Sequence, residues 1–336
     1  MNLLRSALDP FRRLGLGSYG LRPRPPGVAV EVTPEEVVLV RVRRRRGRTS
    51  LEAHHTRPFT EPIPGSSLVR SSPGAHDEAR ARIREVFDAS GTRPGRVALV
   101  LPDSLAKVTL LQLPEAPSSK KQLAEMVRFK LRKAIPFKLE EASISYQLLP
   151  SEGTEASALV AVMLRSTVEQ YERDLEGVGA RPGMVSLCTP NLFNLCREAF
   201  TNGAGTGGDV ALLNCAPTYF SLLIVRDERL IFYRCKSAAV GEEGAGPLSD
   251  GVLSREIATS FSYYQEKLAG QGIRAVYVRT VSKPFDELRE LLERLGAGRA
   301  EAIDVSWAVT VPQGLIPNVL LAHRIAPAIG AAARGR

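Results

Sequence analysis

No stretch of this chain reaches the ~18–20 consecutive apolar residues that a helical membrane span requires. The most apolar segment, Gly314 to Ala333, is broken by Pro317, His323, Arg324 and Pro327. Cysteine is scarce, and Cys188, Cys196, Cys215 and Cys235 form no C-x-x-C pair. That excludes the common zinc and dithiol motifs and fits buried, reduced thiols in a cytosolic protein. Of the histidines, His54 and His55 are adjacent while His76 and His323 are isolated, so no metal-ligand spacing exists. There is no nucleophile elbow, no His-centred triad and no Gly-rich loop ending in Lys. The run Gly203 to Gly208 lacks that Lys and follows a helical pattern instead of a strand, which makes it a linker. The N-terminus has neither the long apolar core nor the cleavage site of a signal peptide.

What is present is a basic chain long enough for a large core. Its 336 residues carry a formal net charge of +9, with 44% hydrophobic and 24% charged residues. More than one domain is expected at this length. The excess of arginine favours an anionic partner or surface over nucleic acid, because no aromatic residues interleave with the cations. The run Arg41 to Arg48 holds six arginines at what reads as a hairpin tip, open to an anionic lipid or an acidic protein as well as to plain solvent.

Residues 1–26 read as a tail and linker. Leu3, Leu4, Ala7, Leu8 and Phe11 oppose Arg5, Arg12 and Arg13, Pro10 limits any helix, and three prolines precede Gly27. Two β-rich runs, Val28 to Val32 and Val37 to Val42, then flank a turn at Thr33-Pro34, and Ser50 to His55 adds a strand. His76 to Asp88 is helical, with Ala79, Ile83, Val86 and Phe87 inward. Arg96 to Pro150 reads as strand, turn at Pro102-Asp103, strand Lys107 to Leu113, basic helix, Ile135-Pro136-Phe137, and strand Ile144 to Leu149. In that helix Leu123, Met126, Val127, Leu131 and Ala134 form one apolar stripe; Ser118 or Ser119 caps it and Pro136 stops it. Six of the nine lysines fall within 107–138, making this the most basic helix. Beyond it come a strand at Ala158 to Leu164, a helix at Pro190 to Phe200, paired strands from Asp209, and a loop at Gly241 to Asp250. A helix at Leu253 to Leu268, a strand at Val276 to Val278 and a short last helix begun by Pro327 complete the pattern.

The order strand, Pro102-x-Ser104, strand ending Leu113-Pro114, helix, Ile135-Pro136-Phe137, acidic pair, Tyr146-Gln147-Leu148-Leu149 resembles the small inserted subdomain of the PilM family. PilM proteins are the actin-like cytoplasmic components of type IV pilus assembly systems. Ala158 to Leu187, the helix carrying Glu256, Ile257, Ser260, Tyr263 and Tyr264, and the C-terminal NVLLAHRIAPAIGAAAR resemble the same family in the same order. The resemblance implies an α/β fold of two actin-like (ribonuclease H-like) domains, with a small α+β subdomain inserted in the first. It implies boundaries at 27–95 and 181–206 for the first domain, 96–180 for the insertion, 207–312 for the second domain, and 313–336 for a helix returning to the first.

In actin-like ATPases the first phosphate turn reads G-x-D-x-G and the second D-x-G-x-x-T, and a Gly-Gly pair admits the adenosine. Here Ala29 and Glu31 stand in the first, with Glu31 putting a charge where a triphosphate would lie. Asn214, Ala216 and Pro217 stand in the second, where Thr218 and Arg234 keep the pattern, and Arg279-Thr280 replaces the glycines. The resemblance therefore implies a pseudo-ATPase scaffold with no cofactor. The alternative is an ATP- and Mg-dependent switch using Asn214, Thr218 and Glu256 in an altered pocket. A cell-division tether resembling FtsA is disfavoured, since that family keeps its ATP motifs and ends in an amphipathic helix.

The implied partner is a PilN-like bitopic inner-membrane protein, whose cytoplasmic N-terminal peptide would sit between the first domain and the small subdomain. That places Val108, Leu110, Leu111 and Leu113, with Lys120, Lys121, Arg128 and Arg132, at the groove. The protein would be peripheral at the inner face of the cytoplasmic membrane. Contact with a pilus motor ATPase and homo-oligomerisation stay open.

Overall fold

A computed structural model describes residues 26–61, 73–149, 156–201, 207–227, 229–238, 240–241, 244–245 and 248–333. The N-terminal amphipathic stretch, most of its proline linker, and residues 203–206 of the glycine run lie outside them. Valine sets the first sheet. β1 (Val28–Val32) and the first half of β2 (Glu36–Arg45) are buried on both faces, as β-branched residues in a covered central strand should be. β3 (Arg48–Pro58) extends the hairpin, and α1 (Pro73–Ser90) crosses over to β4 (Arg96–Leu101). The small unit follows: β5 (Lys107–Leu113), α2 (Lys120–Leu131), β6 (Ala142–Leu149) and β7 (Ala156–Leu164). Then α3 (Arg165–Glu176) leads to β8 (Arg181–Leu187), α4 (Cys188–Leu195) and α5 (Arg197–Thr201). The first sheet runs β3-β2-β1-β4-β8, antiparallel through β1 and parallel from β1 to β8.

The second half repeats the plan. β9 (Asp209–Cys215), β10 (Tyr219–Arg226) and β11 (Arg229–Ser237) form a meander, and a two-residue hairpin follows, β12 (Val240–Gly241) with β13 (Gly244–Ala245). After α6 (Asp250–Lys267), β14 (Ile273–Thr280), α7 (Phe285–Arg294) and β15 (Arg299–Ala302) complete a sheet ordered β11-β10-β9-β14-β15. Its strand directions match those of the first sheet, so two halves of one design face each other, the actin-like arrangement expected. Between β4 and β8 the small sheet runs β5-β7-β6, with Leu123, Val127 and Leu131 of α2 buried against Leu113, Val160 and Val162. Ser119 caps α2, its hydroxyl accepting from the Gln122 N–H at 3.1 Å.

Three local expectations need correction. The helix expected over Pro190 to Phe200 is two helices, broken at Cys196. The loop from Gly241 contains the β12–β13 hairpin. Pro327 does not begin a helix but lies inside α8 (Val319–Ala333), which packs on α4, β1 and β2. Of the cysteines, Cys235 is only half-buried while the other three are buried, and all four are free.

α8 lies against α4 only because Gly330 has no side chain: a Cβ there would sit 2.1 Å from the backbone oxygen of Asn191. Gly330→Ala should therefore lower stability by ~1–3 kcal/mol in urea unfolding, whereas Gly251→Ala, with open space around it on α6, should be near neutral.

Candidate functional site

The β1–β2 and β9–β10 turns border one cleft between the halves. Thr33 closes the first turn, its Oγ1 accepting from the N–H groups of Glu35 (3.2 Å) and Glu36 (3.1 Å). Ala216 N–H donating to the Tyr219 carbonyl at 2.9 Å closes the second. The cavity between them measures 180 Å³ and is walled by Glu35, Glu36, Pro217, Arg279, Leu320 and Arg324. Small-molecule sites usually occupy ~300–1,000 Å³, so this one is tight. Arg324 of α8 forks onto the Glu36 carboxylate, Nε to Oε1 at 2.7 Å. Burial raises the Glu35 carboxyl above its usual range.

Beneath the cavity lies a polar hub centred on Asp103, which is fully buried at the end of the first sheet's β4. Thr189 donates to it twice, through its N–H at 3.1 Å and through its hydroxyl; it lies in the first turn of α4, where the backbone N–H is unclaimed by the helix. From the second half, Ser221 Oγ donates at 2.9 Å and Asn214 Nδ2 at 3.3 Å. Burial raises the Asp103 pKa, and these donors pull it back. The other end of the Asn214 amide is also taken: its Oδ1 accepts from Arg279 Nη1 at 3.0 Å.

Arg279 is the one buried lysine or arginine among the described residues. Its Nε donates at 3.0 Å to the carbonyl of His323. That carbonyl is free because Pro327, four residues on, has no N–H to close the helical bond. A proline inside α8 thus supplies the acceptor that a buried guanidinium needs. The His323 ring sits with Nδ1 2.9 Å from the Thr280 carbonyl, and burial lowers its pKa, favouring the neutral ring.

Glu31, expected to thrust a charge at the phosphates, instead turns into the core. It is fully buried, Cys188 Sγ donates to its Oε1 at 3.2 Å, and Oε2 has no partner. Desolvation raises its pKa to about 7 against the pull of Arg279. The physical reason is strand alternation in a sheet covered on both faces.

The other sequence-selected residues are scattered. Thr218 lies in the turn, where its carbonyl accepts from the Ala238 N–H at 2.8 Å. Glu256 on α6 pairs with Arg234 of β11 at 2.5 Å. Asn214, Thr218 and Glu256 therefore each serve a different set of protein partners. Along β5, Val108 and Leu110 pack on the main core, while Leu111 and Leu113 face α2. Lys120, Lys121, Arg128 and Arg132 are exposed on α2 and at its end. At the arginine-rich hairpin, Arg41 and Arg43 pair with Glu52 at 3.2 and 3.4 Å, and Arg44 donates to the Ala332 carbonyl. Sequence reading missed Asp103, Thr189 and His323 as a group. The available signal was a lone Asp after a strand that is apolar from Val97 to Leu101.

Asn214→Asp would turn a donor toward Asp103 into a second carboxylate and should cost ~3 kcal/mol in urea unfolding at neutral pH, an unchanged midpoint contradicting the hub. Glu31 carries a pH signature. The folded chain holds its proton more tightly than the unfolded chain, so its contribution is whole below pH 4.5 and drains as pH rises toward 7. Relative to Glu31→Gln, the native protein should lose up to ~3 kcal/mol across that window, and parallel stability curves would refute it.

Among curated protein sequences none matches this chain. By structure it is similar to a protein solved as the "PilM-PilN type IV pilus biogenesis complex", at 19% identity and TM-score 0.70, over 92% of this chain and 97% of that one. More remote are a Bacteroides thetaiotaomicron protein of actin-like ATPase fold and unknown function (10% identity, 82% and 90% covered, TM-score 0.49) and the cytoplasmic domain of EpsL, an inner-membrane component of the Vibrio cholerae type II secretion system (9%, 88% and 92%, TM-score 0.46). The family described as "Type IV pilus assembly protein PilM" matches residues 29–243, well over half of the chain. With two such sheets and this match, the chain belongs to the PilM family of type IV pilus assembly proteins.

Proposed function

We propose that this PilM-family chain is a non-catalytic scaffold of a type IV pilus or related secretion platform. It works at the cytoplasmic face of the inner membrane and binds the N-terminal peptide of a PilN-like membrane protein, coupling it to the motor ATPase. The observation that supports the non-catalytic reading is the Asn214 amide, occupied by Asp103 at one end and Arg279 at the other. A metal-organising group has to be charged and open to the ligand; this one is neutral and spent. The cavity above it is small and bordered by two glutamates, a poor setting for a triphosphate. For the peptide, the residues narrow to Val108 and Leu110, half-buried on the side of β5 turned toward the main core that both halves share, because α2 already closes the side of Leu111 and Leu113. No helix among the described residues is long and apolar enough to cross a membrane.

Thermal unfolding with and without millimolar Mg-ATP tests the reading. A ligand at ~100 times its Kd adds ~2.7 kcal/mol, a rise of at least a few degrees. No shift is expected; a rise that disappears when magnesium is omitted would establish the ATP-dependent switch instead.

A further inference from the structure

The outward face of α2 is left without a role by the reading above. Phe129 is 73% exposed there, the most exposed large hydrophobic among the described residues. Arg128 and Lys130 flank it, Arg132 and Lys133 follow within one turn, and all four are exposed. None of the four is held in an ion pair among the described residues. Between residues 120 and 138 seven cations stand against a single acid, Glu125, which is exposed one turn before Phe129. The helix dipole explains why Arg128 and Lys130 suit this end of α2, but it gives no reason for an exposed ring.

We propose that this face of α2 docks directly on an anionic lipid surface, with Phe129 entering the headgroup layer and Arg128, Lys130, Arg132 and Lys133 pairing with lipid phosphates. Two features favour lipid over an acidic protein segment. A peptide needs a groove or an open strand edge, and the outer side of a helix whose inner side is sealed by Leu123, Val127 and Leu131 offers neither. A bilayer surface needs only a protruding aromatic within a ring of cations, which is what this face presents. The contact is independent of peptide docking at β5 and of nucleotide, so its success or failure leaves those readings untouched.

The test is co-sedimentation of the full chain with vesicles of phosphatidylcholine alone and with vesicles of equal parts phosphatidylcholine and phosphatidylglycerol. Binding is expected to the mixed vesicles only, and to weaken at high salt. Lys130→Glu with Arg132→Glu should weaken it at least thirtyfold, since each cation near an anionic surface contributes ~1 kcal/mol, about fivefold. Phe129→Ala should weaken it about tenfold, a part of the value of a fully buried ring, with thermal unfolding of both variants unchanged. As a second readout, Phe129→Trp should show a blue-shifted emission with mixed vesicles that the native protein, with its single Trp307, does not. Equal binding to both vesicles, no binding to either, or unaltered affinity in both variants would overturn the proposal. So would variants that keep the vesicles but lose an acidic or PilN-like peptide, which would make the face a protein site.

Discussion

A buried carboxylate must find donors, and Asp103 finds them on both sides of the molecule. It stands in the turn just after β4 of the first sheet, Thr189 lies in the first turn of the helix after β8, and Asn214 and Ser221 stand side by side on paired strands of the second sheet. Removing a carboxyl group from water costs several kcal/mol unless hydrogen bonds replace the lost hydration. Here the replacement groups come from elements far apart in the chain, so Asp103 is satisfied only when the two halves are closed on each other. The relative placement of the halves, the shape of the cleft above, and the position of α8 all depend on that requirement.

The same constraint explains Arg279. A guanidinium in the interior needs acceptors for its fork and counter-charge nearby. Asn214 supplies one acceptor, the carbonyl freed by Pro327 supplies another, and the carboxyls of Glu31 and Asp103 lie close enough to act on its charge. Glu31, Asn214 and Arg279 are therefore held by one set of contacts. Asn214 avoids setting a second carboxylate beside Asp103, Arg279 reaches from it to the His323 carbonyl, and a helix-internal proline frees that carbonyl.

Most of the fold was legible because its signals are local. Valine-rich runs, the serine pair that offers a cap, the stripe of α2 and the paired strands after Asp209 each declare themselves within a few residues. The hub was not legible. Asp103 meets its partners 86, 111 and 118 residues away in sequence, and a lone Asp after an apolar strand does not say which distant groups it meets. Pro327 misled for the same reason. Proline usually opens helices because its missing N–H is harmless there, and only the distant Arg279 explains why it is tolerated mid-helix. Glu31 lies on the strand that the valine run predicts, but its burial depends on cover of that strand from both sides.

These contacts bear on whether the cleft could act as a switch at all. A nucleotide switch needs two arrangements of the halves within a few kcal/mol of each other. Opening this cleft would break the bonds from Asn214 and Ser221 to Asp103, from Asn214 to Thr189, from Arg279 to the His323 carbonyl, and from Thr280 to the His323 ring. At ~1 kcal/mol net for each, that is ~5 kcal/mol before any apolar contact is counted. The open form would then be populated below about 0.1%. A ligand would have to recover that difference through groups that the hub already occupies. An interior organised in this way favours a fixed frame.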